Sequence, residues 1–306
     1  MPATDGRPAR LVEVIVDPHT SRVRGARVWG EYLTTWIYDL HYTLRLGRTG
    51  ERVAGVLGAL LALSLVSGLC LWMPVVRSRG RRAFTLRRHR GSAARSRELH
   101  YIAGAYAAMP LLLTALTGVY MEFSAPAHAA LGWIAPMTPW PEGVRSAAPG
   151  PGGRMIPVED AMRIARRTFP EGEVKYALLP DGPRGVYQVN LRQPGEAYKS
   201  LGRTDVWIDA YSAAVLERRD PRAFTAGDRV DEWIFPLHTG EGFGTPSRWI
   251  VFVGGLVPLV LYVSGIRMWL RKRAGRHRRR IRGEGVAGLL RQPAADASPD
   301  LARSSR

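Results

Sequence analysis

His41 and His238 lie at the centre of two stretches of sequence that superpose without a gap. The first reads Trp36-Ile37-Tyr38-Asp39-Leu40-His41, then Leu46-Gly47, Ser67-Gly68 and Trp72. The second reads Trp233-Ile234-Phe235-Pro236-Leu237-His238, then Phe243-Gly244, Ser264-Gly265 and Trp269. From each histidine the glycine is six residues on, the Ser-Gly pair ends twenty-seven on and the tryptophan is thirty-one on. A repeat that carries a histidine into the head of an apolar helix implies two equivalent imidazoles facing each other across a bundle. Two neutral imidazoles on opposite faces of a porphyrin are what a low-spin haem iron requires, with apolar helices to exclude water and cations to meet the propionates. Arg45, Arg48 and Arg248 are the cations nearby in sequence. The competing role, anchoring a helix at a membrane interface, suits an isolated histidine better than a matched pair.

His100 opens another apolar segment in Glu98-Leu99-His100-Tyr101, followed by Gly104 and by Thr117-Gly118, which echoes the two Ser-Gly pairs. If it binds a second haem, its partner comes from a helix outside these 306 residues. His19 in a turn, His89 and His277 in Arg-rich segments and His128 after a proline are expected to be solvated. Gly68, Gly118 and Gly265 permit close approach of a helix or of a flat macrocycle, and the sequence leaves that choice open. Met73 and Met268 read as packing residues. Cys70 is the only cysteine, which excludes a disulfide and a Cys-x-x-Cys-His attachment, so any haem would be non-covalent b-type.

The elements that must position these histidines are membrane helices. Three apolar segments, Val53 to Met73, Tyr101 to Phe123 and Trp249 to Leu270, each have about the 20 residues needed to cross hydrocarbon. The net charge is +18. It is concentrated: Arg77 to Arg97 carries nine arginines, Arg267 to Arg282 carries nine lysines or arginines, and neither contains an acid, so the rest of the chain is balanced. Both clusters abut apolar segments, the pattern of cytoplasmic loops rather than of a nucleic-acid surface. This orientation puts residues 124–248 and everything before Val53 outside. His41 and His238 are then expected on the outer side and His100 on the cytoplasmic side. The outward N-terminus requires either insertion with that end out or a further helix upstream, and the second is the favoured expectation.

The expected layout is as follows. Residues 1–51 are an outer half-unit and pre-helix segment; 52–74, 100–123 and 249–270 are transmembrane helices; 75–99 is a cytoplasmic Arg-rich loop; 124–248 is a linker and a soluble domain; and 271–306 is a basic, disordered cytoplasmic tail. Ala125 to Gly153 reads as linker or interfacial coil, with Trp133 and Trp140 near the membrane surface. Pro157, Glu159 and Asp160 open a helix with Ala161, Ile164, Ala165 and Phe169 on one face. Strands are expected at Val174–Leu179, Val186–Leu191, Thr204–Ile208 and Ala214–Arg218. Strand, turn and strand recur in miniature near Val14–Val16 and Val23, with Asp17 in the place of Asp209.

At these residues the chain resembles the PepSY-associated transmembrane family of bacterial inner-membrane proteins, also described as iron-regulated membrane proteins. The matching features are the Leu-His heads at His41, His100 and His238, the Pro-Leu-His-Thr-Gly run ending at Gly240, the Leu-Trp-x-Pro stop at Trp72 and Pro74, and the two aspartate turns; the resemblance covers about residues 11 to 273. It implies a helical bundle, four-helical in the family with three helices visible here, bearing a periplasmic α+β PepSY-like domain. It further implies two b-type haems in some members, with His41 and His238 on the periplasmic haem and His100 on the cytoplasmic one, and reduction of ferric siderophores. The family's first helix and its histidine have no counterpart here.

The function expected is therefore a haem-b inner-membrane reductase that passes electrons to a ferric siderophore or another ferric chelate in the periplasm. No Gly-x-Gly-x-x-Gly turn occurs, so the electron donor, a flavoprotein or quinol, is expected to be separate. Trp36, Tyr38, Trp233 and Phe235 could dock the chelate or form an interfacial aromatic belt. The alternative is a haem-free PepSY membrane protein that binds a peptide or protein partner and regulates envelope proteolysis or sensing.

Overall fold

The computed structural model of the chain describes residues 11–85, 91–150 and 152–289. Strands β1 (Val12–Val16) and β2 (Val23–Val28) form a hairpin, α1 (Leu33–Thr43) turns into the long α2 (Gly47–Arg79), and a 3-10 turn over Gly80–Phe84 precedes α3 (Ser92–Glu122) and α4 (Ser124–Ile134). Helix α5 (Val158–Thr168) and strands β3 (Glu173–Leu178), β4 (Val186–Arg192), β5 (Thr204–Asp209) and β6 (Val215–Arg219) follow, then α6 (Ala226–Thr239) and α7 (Thr245–Leu289). The chain divides into two compact units, Met1–Cys70 with Ala108–Gly255 and Leu71–Ala107 with Leu256–Arg306.

Three helical stretches, Gly47–Phe84, Ala94–Glu122 and Thr245–Arg276, are long and apolar enough to cross a membrane. In their most apolar windows only 17%, 28% and 11% of the residues are buried within the protein, so most of their apolar side chains face outward. Such continuous apolar surface is stable against lipid and not against water.

In the first unit, β3-β4-β5-β6 form an antiparallel sheet in sequential order, with α5 packed on one face. Alternation places Tyr187, Val189 and Leu191 of β4 beside Val206 and Ile208 of β5, where Ala161, Ala165 and Phe169 cover them. Strand β5 is buried on both faces, and Trp207 on the second face meets the edge of Trp140 at 5.7 Å. The aspartate turns expected to be equivalent are built alike. Asp209 Oδ1 accepts from the N–H groups of Tyr211 and Ser212, and Asp17 Oδ1 accepts from those of His19 and Thr20, the same offsets of two and three residues. The two turns therefore share the same chemistry.

The junction of α1 and α2 is compressed. Leu44, Arg45 and Gly47 all take positive φ, at 51°, 57° and 57°. A Cβ on Gly50 would fall inside the contact radius of the Thr43 carbonyl oxygen. Glycine is thus required where α2 passes the end of α1.

Three expectations need correction. Residues 124–134 are helical, not coil: Ala125, Ala127, Ala129 and Ala130 favour a helix, and Pro126 falls in the first turn, where its missing N–H costs nothing. The described residues of 75–99 are mostly helical too, with α2 running to Arg79 and α3 starting at Ser92. The tail continues α7 as far as Leu289, because arginine, lysine, alanine and leucine are strong helix formers; residues 290–306 lie outside the described residues.

In the second unit, Trp72 stands edge-on to Phe84 at 4.8 Å, and Phe84 in turn meets Tyr106 at 6.0 Å. His100 of α3 faces Ser264 of α7.

Candidate functional site

Helix α6 begins with a reciprocal cap, in which the Thr225 hydroxyl accepts from the Asp228 N–H and the Asp228 carboxylate accepts from the Thr225 N–H. It ends at Gly240, whose φ of 75° stops the helix directly after the turn that carries His238. Helix α1 brings His41 to the same place. The two rings are 6.0 Å apart between centroids, with planes inclined at 46°.

The His238 Nδ1 is 3.0 Å from the Thr114 carbonyl oxygen and 3.1 Å from the Thr117 hydroxyl, both on α3. A carbonyl can only accept, so Nδ1 carries the proton and the lone pair of Nε2 remains free. Burial lowers the His238 pKa, the nearby His41 lowers it further, and the bond to Thr114 opposes them; the balance favours the neutral ring that can ligate a metal. Gly118 makes room, since a Cβ there would lie 3.1 Å from His238 Cε1.

His100 is seated in the same way within the second unit. Its Nδ1 lies 2.9 Å from Ser264 Oγ, whose own proton goes to the Val260 carbonyl at 2.6 Å, and a Cβ on Gly265 would lie 3.7 Å from His100 Cε1. The two sites differ in tightness: a Cβ on Gly118 would crowd His238, whereas one on Gly265 would make only ordinary contact with His100, and in each case the adjoining hydroxyl meets the imidazole Nδ1. At the third pair, the Ser67 hydroxyl bonds to the Ser64 carbonyl and nothing described comes within 4 Å of a Cβ on Gly68.

The fit to a shared metal can be tested on the first pair. Two imidazoles bound to one ion from opposite sides have centroids about 6 Å apart, because each metal–nitrogen bond is about 2 Å and each nitrogen lies about 1 Å from its ring centre. The observed 6.0 Å matches. Among the described residues no group of three or more His, Cys, Asp or Glu is placed to hold a bare ion.

The three arginines differ in their engagements. Arg45 donates to the Gly30 carbonyl at 3.0 Å, pairs with Asp39 at 3.4 Å and lies over Trp36, so it braces α1 against the hairpin. Arg248 pairs with the buried Glu241 at 3.4 Å, and Arg48 is exposed on α2. Of the four aromatics, Tyr38 packs on Trp29 and Tyr42, Phe235 on Tyr198, Trp233 on Phe243, and Trp36 under Arg45.

His128 departs from the sequence expectation. Its Nε2 is 2.9 Å from Asp231 Oδ1, which also accepts from the Tyr120 hydroxyl at 3.1 Å, while Arg203 donates to Asp231 Oδ2 at 2.9 Å. Asp231 sits two turns before His238 on α6, so residues of α3, α4 and the β4–β5 loop converge on the helix that presents His238. Asp231, Arg203, Tyr120, Thr114 and Thr117 escaped sequence reasoning. Only Thr117 gave a signal, through its Thr-Gly echo of the Ser-Gly pairs. His19 is exposed in its turn, His277 lies in α7, and His89 lies outside the described residues.

No curated protein matches the chain. The family model described as the PepSY-associated TM region matches residues 3–272, which takes in the hairpin, all three apolar helices, the sheet domain and the three seated or facing histidines. The chain belongs to the PepSY-associated transmembrane family.

Proposed function

We propose that this protein holds a b-type haem between His41 and His238 and passes single electrons outward to a ferric chelate. The observation that carries the reading is the pair of imidazoles at 6.0 Å, one of them with Nδ1 committed to a backbone carbonyl. A haem held there would supply one-electron redox chemistry. The chain's own residues do the rest: Thr114 and Thr117 fix the tautomer and rotation of His238, and Gly118 leaves space for its ring. Orienting groups behind a ligating histidine commonly matter about as much as the ligand geometry itself.

The substrate class follows from coordination chemistry. Hard oxygen chelators grip Fe(III) much more tightly than Fe(II), so one electron loosens the metal. A ferric siderophore or similar chelate on the periplasmic side of a bacterial inner membrane is the proposed acceptor, with a separate flavoprotein or quinol as donor. His100, backed by Ser264, is the proposed ligand of a second, cytoplasmic haem whose other ligand comes from outside these residues.

The test is a reduced-minus-oxidised spectrum of membranes containing the protein, followed by reduction of a ferric chelate by the dithionite-reduced protein. His41→Ala and His238→Ala should each remove the outer haem signal, and His89→Ala should not. A well-folded protein without b-type absorbance would overturn the reading and leave the peptide- or partner-binding alternative.

A further inference from the structure

Helix α4 ends in the two most exposed large apolar side chains of the described residues, Trp133 at 88% and Ile134 at 86%. They sit on a helix held at both flanks. Towards its start, His128 bonds to Asp231 and stacks edge-on against Tyr120 at 5.5 Å. Just beyond its end, the Pro136 carbonyl accepts from the Gly227 N–H at 3.0 Å and from the Thr225 hydroxyl at 2.6 Å, and Thr138 donates twice to Asp228, at 3.0 and 2.6 Å. A Cβ on Gly227 would collide with Met137, so this crossing of α6 is as close as glycine allows. The apolar tip is thus displayed on a fixed mount.

We infer that the tip of α4 is seated in the interfacial layer of the lipid bilayer, with Trp133 and Ile134 at the boundary of headgroups and acyl chains. Two observations select lipid as the occupant. Helix α4 starts two residues after Glu122, the last residue of a membrane-crossing stretch, so the tip continues a surface already in contact with lipid. And no Asp, Glu, Lys or Arg occurs between Glu122 and Glu142, so nothing in the segment resists entry into a weakly polar layer and nothing draws it to an acidic partner. Tryptophan, with an apolar body and one N–H donor, is the side chain best suited to that layer. Trp140, also expected there from sequence, instead packs on Trp207 and under Arg219 in the sheet domain.

Because α4 is bonded to α6 before and after its tip, anchoring the tip sets the depth of α6, and with it of His238, relative to the membrane surface. The absence of charge gives the anchor a signature: it should be indifferent to ionic strength and to anionic lipid, unlike a basic amphipathic helix.

The experiment uses the full chain in nanodiscs of zwitterionic lipid. The emission of Trp133 is obtained as the difference between the protein and Trp133→Phe, with Trp133→Tyr as a second conservative variant should the first fold poorly. The expected result is blue-shifted difference emission, quenched several-fold more by lipids brominated near the top of the acyl chain than by lipids brominated near its end. Iodide in the aqueous phase should quench it little, and neither added salt nor anionic lipid should change it. Water-like emission quenched by iodide would overturn the inference, as would shielding from both iodide and brominated lipid, which would mean that the tip is buried in protein.

Discussion

His238 Nδ1 lies 3.0 Å from the Thr114 carbonyl oxygen, and a Cβ on Gly118 of the same helix would come within 3.1 Å of its Cε1. The ring is therefore held by a backbone acceptor that no side-chain substitution can remove, while the space it occupies depends on a single residue. On the proposed reading, Gly118→Val should accordingly cost most of the b-type absorbance per folded protein, because the new side chain must enter the volume of His238 Cε1. Thr117→Val should do much less, removing one of two polar contacts worth about 1 kcal/mol. Gly68→Val, facing open space on α2, should leave the signal unchanged. Absorbance of the three variants in the same membranes decides, and equal loss in Gly68→Val would show that the glycine effect is one of helix packing.

Much of this arrangement could be read from sequence, and the part that could not has a clear physical reason. The histidine repeat, the three apolar helices and the four strands follow from a matched six-residue word with fixed spacings after it, from hydropathy and from alternation, each of which is written in short stretches of the chain. The seating of His238 by Thr114 is a bond from a side chain to a carbonyl oxygen 124 residues away. Every residue has such an oxygen, so composition cannot mark the one that is used. Asp231 was missed for a related reason: its partners Tyr120, His128 and Arg203 come from three elements and have no spacing in common. The errors at residues 75–99, 124–134 and 271–289 came from weighting proline, glycine or charge above the helix propensity of alanine and arginine.

Asp231 should matter more than any one of its partners. Removing His128, nearly half exposed, takes away one surface contact worth up to about 1 kcal/mol. Asp231→Ala instead takes the carboxylate from the Tyr120 hydroxyl and from the partly buried Arg203, which keeps only the backbone carbonyl of residue 231, a loss of about 2–3 kcal/mol. Thermal unfolding of the purified variants should rank Asp231→Ala well below His128→Ala. A similar melting point for both would mean that Arg203 and Tyr120 find other acceptors.

The turn aspartate of the sheet domain predicts a pH dependence. Burial by itself would raise the Asp209 carboxyl, but the N–H groups of Ser212, Ala147 and Tyr211 outweigh it and hold its pKa below the ordinary 3.8. A carboxyl with a depressed folded-state pKa stabilises the fold fully above its unfolded value and loses that contribution as pH falls through the folded value. Asp209→Asn should thus lower stability near neutrality, by about 1–3 kcal/mol, and the difference from the unmodified protein should shrink below about pH 4. Hydrogen exchange of the β5–β6 amides at several pH values measures it, and a gap that stays constant to the lowest pH would assign the effect to packing instead.

The closest constraint on the position of His41 lies nine residues downstream. Gly50, at the start of α2, meets the carbonyl of Thr43, the last residue of α1, so tightly that even a methyl group has nowhere to go. The obstacle is backbone, which cannot rotate aside as a side chain could. Gly50→Ala must therefore push the end of α1 away from α2, and His41, two residues before Thr43, moves with it. The atoms that crowd a Cβ on Gly50 belong to Thr43 and Leu46 and not to strands β3 to β6, which should keep their exchange protection, so the outcome expected on the proposed reading is loss of most of the b-type absorbance in a protein whose sheet domain remains folded. Gly47→Ala tests the mechanism separately: it strains a φ of 57° but meets nothing within 4 Å, and should cost about 1 kcal/mol of stability while leaving the two imidazoles paired. If Gly50→Ala retained its full b-type spectrum, the path from this glycine to His41 would be broken, and the α1–α2 junction would have no part in holding the pair together.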